Sequence, residues 1–225
     1  MISCIVFDLD DTLYLERDYV RSGFDAVGEL VTREFGVTGF SEYCWSRFLS
    51  GARGDIFNGA CADCAIADSP GMIARLVSRY REHEPAIELL PDSAEVLPQV
   101  AKIARAAVIT DGPRASQSRK VSALKLQQWA SPIVLTDDLG PEAMKPSPKA
   151  FELVQQHHGL DGPACAYVGD NPRKDFVSPR VLGWRTIRIR RPLGLHVDVP
   201  SGDDVDQEIE DLTQLLSALT VQRHA

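Results

Sequence analysis

Acidic residues recur where apolar runs of this sequence end. Ile2 to Phe7 leads into Asp8-Leu9-Asp10-Asp11-Thr12, and Ala106 to Ile109 into Thr110-Asp111-Gly112. Ile133 to Leu135 leads into Thr136-Asp137-Asp138, and Ala164 to Val168 into Gly169-Asp170, with Asp175 five residues on. Any one of these acids reads as a helix cap or turn residue just past a strand. Gathered together they pose an electrostatic problem, because two unit charges about 4 Å apart repel by about 4 kcal/mol at an effective dielectric of about 20. A hard cation held by oxygen ligands relieves that repulsion. With no His or Cys among these strand-end residues, the pattern favours Mg²⁺, which keeps waters and shares its ligation with a substrate phosphate. Lys145, in Met144-Lys145-Pro146-Ser147-Pro148, is a candidate to balance both a carboxylate and a phosphate oxygen.

These acids meet only if their runs are strands of one sheet. A fifth run, Thr186 to Ile189, follows the four above, and helical stretches lie between the later ones. Pro91-Asp92-Ser93 opens an apolar-periodic segment reaching about Arg105; Ser147-Pro148 precedes Ala150-Phe151-Leu153-Val154, and Gly159 closes that helix. Strands alternating with helices predict an α/β fold with a parallel sheet covered on both faces, and ligands bind such sheets at the carboxyl ends of the strands. A last helix is predicted from about Val205 to Leu219, after a polar surface loop from Gly194 to Asp204. Residues 15–90 contain no convincing strand and are too many for a crossover. Amphipathic stretches at Tyr19 to Phe35, Glu42 to Leu49 and Met72 to Arg81 predict a helical insertion there, its core containing Phe24, Val27, Leu30 and Val31. The α/β core is then 1–14 and 91–225.

Composition narrows the function classes. The chain of 225 residues carries 24 Lys plus Arg against 32 Asp plus Glu, a net charge of −8, which excludes a binder of nucleic acid that works by neutralising phosphates. With 44% hydrophobic and 25% charged residues it has ordinary globular values, so disorder and fibres are out. No apolar run approaches the roughly 20 residues needed to cross a bilayer, and Asp8 interrupts any signal-peptide core. A cytoplasmic location, away from membranes, is expected. Five cysteines, an odd number, point to reduced thiols. Cys61-Ala-Asp-Cys64 is a single pair with only Cys44 and His83 nearby, and it reads as buried apolar thiols, not a zinc site.

Asp8-x-Asp10-x-Thr12 after a strand, Thr110 at the tip of another, Lys145 in a Lys-Pro-x-Pro helix start, and Gly169-Asp170 with Asp175 resemble the four ordered motifs of the haloacid dehalogenase superfamily. The resemblance covers about two-thirds of the chain. It implies a three-layer, Rossmann-like core, with residues 15–90 as a C1-type helical cap. Within the family the chain is most similar to small-metabolite phosphatases of the phosphoglycolate phosphatase and nucleotidase kind. The reaction implied is Mg²⁺-dependent hydrolysis of a small phosphorylated metabolite through an aspartyl-phosphate on Asp8. Asp10 would serve as acid and then base, with a pKa raised by Asp8 and partial burial. The implied Mg²⁺ ligands are Asp8, the Asp10 carbonyl and Asp170, with Asp175 orienting a bound water or Lys145. The Thr110 hydroxyl and the N–H groups of Asp111 and Gly112 would hold phosphate oxygens, Lys145 would neutralise developing charge, and the Thr12 hydroxyl would tie the first loop.

Substrate identity would come from the cap. Gly51 to Gly59 is the candidate loop facing the site; Arg47 and Arg53 are candidates for a second anionic group, against the equally simple reading that both face solvent. Leu13 to Tyr19 reads as a mobile flap. Arg173, Lys174, Arg190 and Arg191 read as surface charge, and Asp137 and Asp138 as N-caps or solvated loop acids. A phosphonate-cleaving relative would need a cap lysine, yet the first lysine is Lys102. A dehalogenase would need neither Asp10 nor Asp170, and a membrane pump would need spanning helices. A phosphosugar mutase, or an idle phosphatase-like scaffold, are the remaining alternatives. The leaving group and the oligomeric state are open at this level.

Overall fold

The computed structural model describes residues 1–66 and 71–220. Six strands, β1 (Cys4–Phe7), β2 (Arg105–Thr110), β3 (Ile133–Leu135), β4 (Cys165–Gly169), β5 (Arg185–Ile189) and β6 (Gln207–Ile209), form one sheet in the order β3-β2-β1-β4-β5-β6. Every pairing is parallel. The helices are α1 (Glu16–Phe35), α2 (Phe40–Leu49), α3 (Ile56–Asp63), α4 (Met72–Glu82), α5 (Pro91–Ile103), α6 (Arg114–Ala123), α7 (Lys149–His158), α8 (Val177–Val181) and α9 (Leu215–Thr220). All residues of β1, β4 and β5 are buried, so both sheet faces are covered, which explains why these strands are apolar runs and not alternating ones. No helix among the described residues is long and apolar enough to cross a membrane.

The chain divides into two compact units, Met1–Glu16 with Glu88–Ala225, and Arg17–Ile87. The first holds the sheet and α5 to α9; Phe151, Tyr167, Phe176 and Trp184 fill its core. The second is helical, and Phe24, Val27, Leu30 and Val31 of α1 pack there with Phe40, Phe48, Phe57 and Leu76. Cys44 and Cys61 belong to that apolar cluster, and burial pushes the Cys44 thiol up to about 12.

Two sequence expectations are corrected. The predicted helix from Val205 is β6 followed by a turn and the short α9, because Gln207 to Ile209 pairs with the outer edge of β5. Asp206 secures that edge by accepting the Thr186 N–H at 2.9 Å. The Gly51 to Gly59 segment is not one loop: α3 begins at Ile56.

The sheet order turns back at one place. Strands β2 and β3 follow β1 on one side, whereas β4 to β6 follow on the other, so β1 and β4 flank the switch point where open α/β sheets bind ligands. Asp8 and Asp170 sit immediately beyond the ends of these two strands.

Candidate active site

The loop after β1 is tightly held. Asp8 donates its N–H to the Val168 carbonyl at 2.8 Å, extending the β1–β4 pairing by one residue. Leu13 N–H returns to the Leu9 carbonyl at 3.0 Å, and Asp11 takes a positive φ of 52°. Asp11 fastens the turn by accepting the N–H groups of Glu16 at 2.9 Å and Leu195 at 2.7 Å. The Thr12 hydroxyl, expected to tie this loop, has no hydrogen-bond partner; its carbonyl does the work by accepting from Arg191.

Lys145 stands at the centre of the acids, its ammonium wholly buried. It donates to Asp8 and to the Tyr167 hydroxyl at 2.9 Å, and lies 2.8 Å from Asp175. Burial opposes its charge, yet Asp175 and Asp8 outweigh that and hold the ammonium well above its ordinary pKa. Asp175 uses its other oxygen to accept the Asn171 N–H at 2.8 Å. A glycine is required beside it, since a Cβ on Gly169 would lie 2.7 Å from that carboxylate.

One cation does not settle this cluster. Carboxylate oxygens of Asp8, Asp170 and Asp175 lie within 4.8 Å of one another, all three residues buried. Burial, then Asp175 and Asp8, push Asp170 up to about 10; burial likewise pushes Asp8 up to about 7 despite Lys145. An all-oxygen, excess-negative pocket of this kind fits a hard divalent ion.

Asp10 differs from the expectation of a raised pKa. Burial would raise it, but Lys120 at 2.7 Å, the Tyr14 hydroxyl and Gln117 at 3.0 Å all donate to its carboxylate and hold it below the usual range. Gln117 also donates to the Thr110 hydroxyl, which is buried at the end of β2. Asp111 points its side chain inward, accepting from Thr136 at 2.9 Å, the Lys145 N–H at 3.1 Å and Lys174 at 2.8 Å. Gly112 follows with a φ of 128°.

A cleft of about 130 Å³ opens here, lined by Asp8, Asp10, Glu16, Asp170, Lys174 and His196 among others. Lys174, expected to face solvent, instead pairs with Asp111. His196 corrects the view that no imidazole is near: the loop after β5 brings it in, and Asn171 Nδ2 donates to its Nε2 at 3.0 Å. Burial, reinforced by Asp10, pushes the Glu16 carboxyl up to about 7. Arg191 is also no surface charge, being 4% exposed, whereas Arg190 is half-exposed and donates to the Val197 carbonyl at 3.1 Å. Asp137 accepts the first N–H of α6 at 2.8 Å and so caps that helix, whereas Asp138 pairs with the Arg114 side chain at 2.6 Å.

Arg47 and Arg53 belong to the helical unit and find partners within it. Arg47 pairs with Asp63 at 2.9 Å. Arg53 donates to the Phe48 and Ala52 carbonyls and lies 4.3 Å over the Phe48 ring.

Comparison with known proteins identifies the family. The family model for haloacid dehalogenase-like hydrolases matches residues 2–180. A glyceraldehyde 3-phosphate phosphatase of Methanopyrus kandleri is 26% identical over 97% of both chains, and a phosphoserine phosphatase of Thermus thermophilus is 27% identical over 65% of this chain and 56% of its own. Among solved structures, the HAD-hydrolase YfnB of Bacillus subtilis, bound to magnesium, superposes with a TM-score of 0.71 at 17% identity, covering 98% of this chain and 99% of its own. The chain belongs to the haloacid dehalogenase-like hydrolases.

Proposed function

We propose that this hydrolase cleaves a small phosphorylated metabolite by way of an aspartyl-phosphate on Asp8. Its phosphatase character is supported by full-length relatives of that activity and by a site equipped with a second carboxylate two residues beyond the nucleophile. In the first step an Asp8 oxygen forms a bond to phosphorus as the bond to the leaving oxygen breaks, and Asp10 gives that oxygen a proton. In the second, Asp10 takes a proton from water as the water oxygen attacks phosphorus, releasing inorganic phosphate and restoring Asp8. Asp10 rests ionised beside Lys120; the negative charge of an entering phosphate raises its proton affinity, so it takes up a proton from solvent before the first step and passes that proton to the leaving oxygen.

In this reading Lys145 neutralises charge that builds on the phosphoryl oxygens, and the Thr110 hydroxyl and the N–H groups of Asp111 and Gly112 receive those oxygens. Mg²⁺ would be held by Asp8, the Asp10 carbonyl and Asp170, while Asp175 stays with Lys145 and the Asn171 N–H. The ion, when bound, supplies positive charge to the acids and to the phosphoryl group in transfer.

The observation that carries this reading is the meeting of Asp8, Asp170 and Asp175 around Lys145 at the sheet's switch point. The names of the relatives and the small cleft put triose phosphates and phosphoserine first in a substrate panel. Helical residues 15–90 act in this reading as the specificity cap. Phosphate release is measured across the panel with and without Mg²⁺, for wild type and Asp8→Asn. Metal-dependent release that vanishes in Asp8→Asn is expected; release that survives the substitution overturns the nucleophile, and no release under any divalent ion favours the scaffold alternative.

A further inference from the structure

The helix α6 carries no recognised motif, yet it sends two side chains into the site. Gln117 and Lys120 are three residues apart and therefore share one helical face. Lys120 is 4% exposed and places its Nζ 2.7 Å from Asp10 Oδ1; Gln117 places its amide nitrogen 3.0 Å from Asp10 Oδ2 and also donates to the Thr110 hydroxyl. The base of α6 is itself fixed, because Asp137 accepts the Arg114 N–H at 2.8 Å. Both oxygens of Asp10 are thus gripped by one helix, and Tyr14 is a second donor to Oδ1.

Burying a lysine to pair one carboxylate gives little net stability, since desolvation consumes most of the attraction. Such a pair is better understood by what it aligns. Proton transfer to a departing oxygen demands heavy atoms within about 2.6–3.2 Å in the right direction, and a flexible aspartate does not supply that alone. We propose that Lys120, seconded by Gln117, is a positioning residue that aims the Asp10 carboxyl at the leaving oxygen of the substrate. This rests on the phosphatase reading above and adds to it the group that orients its acid.

Leaving groups that need a proton and those that do not separate this role from a merely structural one. Values of kcat/KM, which report the steps through phosphoryl transfer to the enzyme, are measured for glycerol phosphate, whose alkoxide must be protonated, and for p-nitrophenyl phosphate, whose phenolate leaves unaided. General acid help contributes on the order of 10²-fold or more, so Lys120→Met lowers the glycerol phosphate to p-nitrophenyl phosphate ratio by about tenfold or more. Lys120→Arg restores most of the ratio. In an Asp10→Asn background, where no carboxyl remains to aim, Lys120→Met leaves the ratio where Asp10→Asn put it. Gln117→Met, which keeps the ion pair, lowers the ratio by a smaller factor and serves if Lys120→Met does not fold. Equal losses on the two substrates, or a ratio that still falls in the Asp10→Asn background, overturn the proposal. Asp8→Asn separates the two levels: if both substrates still turn over, the phosphatase mechanism itself has failed, whereas an unchanged ratio with Asp8 still required defeats only the role of Lys120.

Discussion

Arg191 shows how one buried cation organises the loop that carries Asp8 and Asp10. Its guanidinium donates to the Thr12 carbonyl at 2.7 and 3.1 Å, to Ser93 at 3.1 Å and to Asp92, which also accepts the Leu212 N–H at 2.6 Å. The loop after β1, the start of α5 and the turn after β6 are thereby joined at one residue. Removing one partner of a buried pair leaves the others without compensation, so Arg191→Met should cost about 3–5 kcal/mol, read from the denaturant midpoint. Arg191→Lys should recover only part, because an ammonium cannot span the same fork of acceptors. A midpoint unchanged in Arg191→Met would contradict this account. Nothing in the sequence marks Arg191 or Lys120 in this way. Their partners Asp92 and Asp10 lie 99 and 110 residues away, and an isolated Arg or Lys carries no periodicity or spacing to say which charge it will meet. Asp8, Asp10 and Asp170 were legible because type and place coincide: an acid directly after an apolar run lies at a strand's carboxyl end in any parallel sheet.

At the scale of elements, what was legible followed from local chemistry. Pro91 starts α5 and Gly159 stops α7 with a φ of 61°, both as their residue types dictate. The strand β6 was not legible, because three residues suffice for it and their pairing depends on the free edge of β5, which local periodicity does not contain. Two glycines of this region separate conformational from steric demands. At Gly159 an added Cβ meets nothing within 4 Å, so Gly159→Ala should cost only the left-handed backbone, about 1 kcal/mol, or about 2–4 °C in Tm. Gly162, in the turn before β4, has no positive φ, but its Cβ would lie 1.8 Å from the Leu182 carbonyl oxygen, a backbone atom. Gly162→Ala should therefore lower Tm by more than Gly159→Ala, through displacement of the Leu182–Gly183 turn. Thermal melts in the reverse order would show that this turn yields cheaply.

For the whole molecule, the acids at the sheet's switch point tie folding to pH and, on the proposed reading, to metal. Asp8 is pushed up to about 7 and Asp170 to about 10, whereas an unfolded aspartate titrates at about 4. Between about pH 4 and these raised values the folded chain holds protons that the unfolded chain has released. Stability changes with pH according to protons bound unfolded minus protons bound folded, and that difference is negative here. Metal-free protein should lose stability as pH rises from about 5.5 to 8, the reverse of what salt-bridged carboxylates with lowered pKa values produce. A divalent ion stabilises only the folded state, by about 2.7 kcal/mol when present at about 100 times its dissociation constant. It also takes the place of the protons on its ligands, so its effect should grow with pH. Melting after EDTA treatment should therefore show a Tm that falls across this range, and added Mg²⁺ should raise it most at the alkaline end. Asp170→Asn removes a proposed ligand and the most strongly perturbed aspartate together, so the variant should show both a shallower pH slope and almost no response to Mg²⁺. A wild-type Tm indifferent to Mg²⁺ at every pH would mean that Lys145 alone balances these carboxylates.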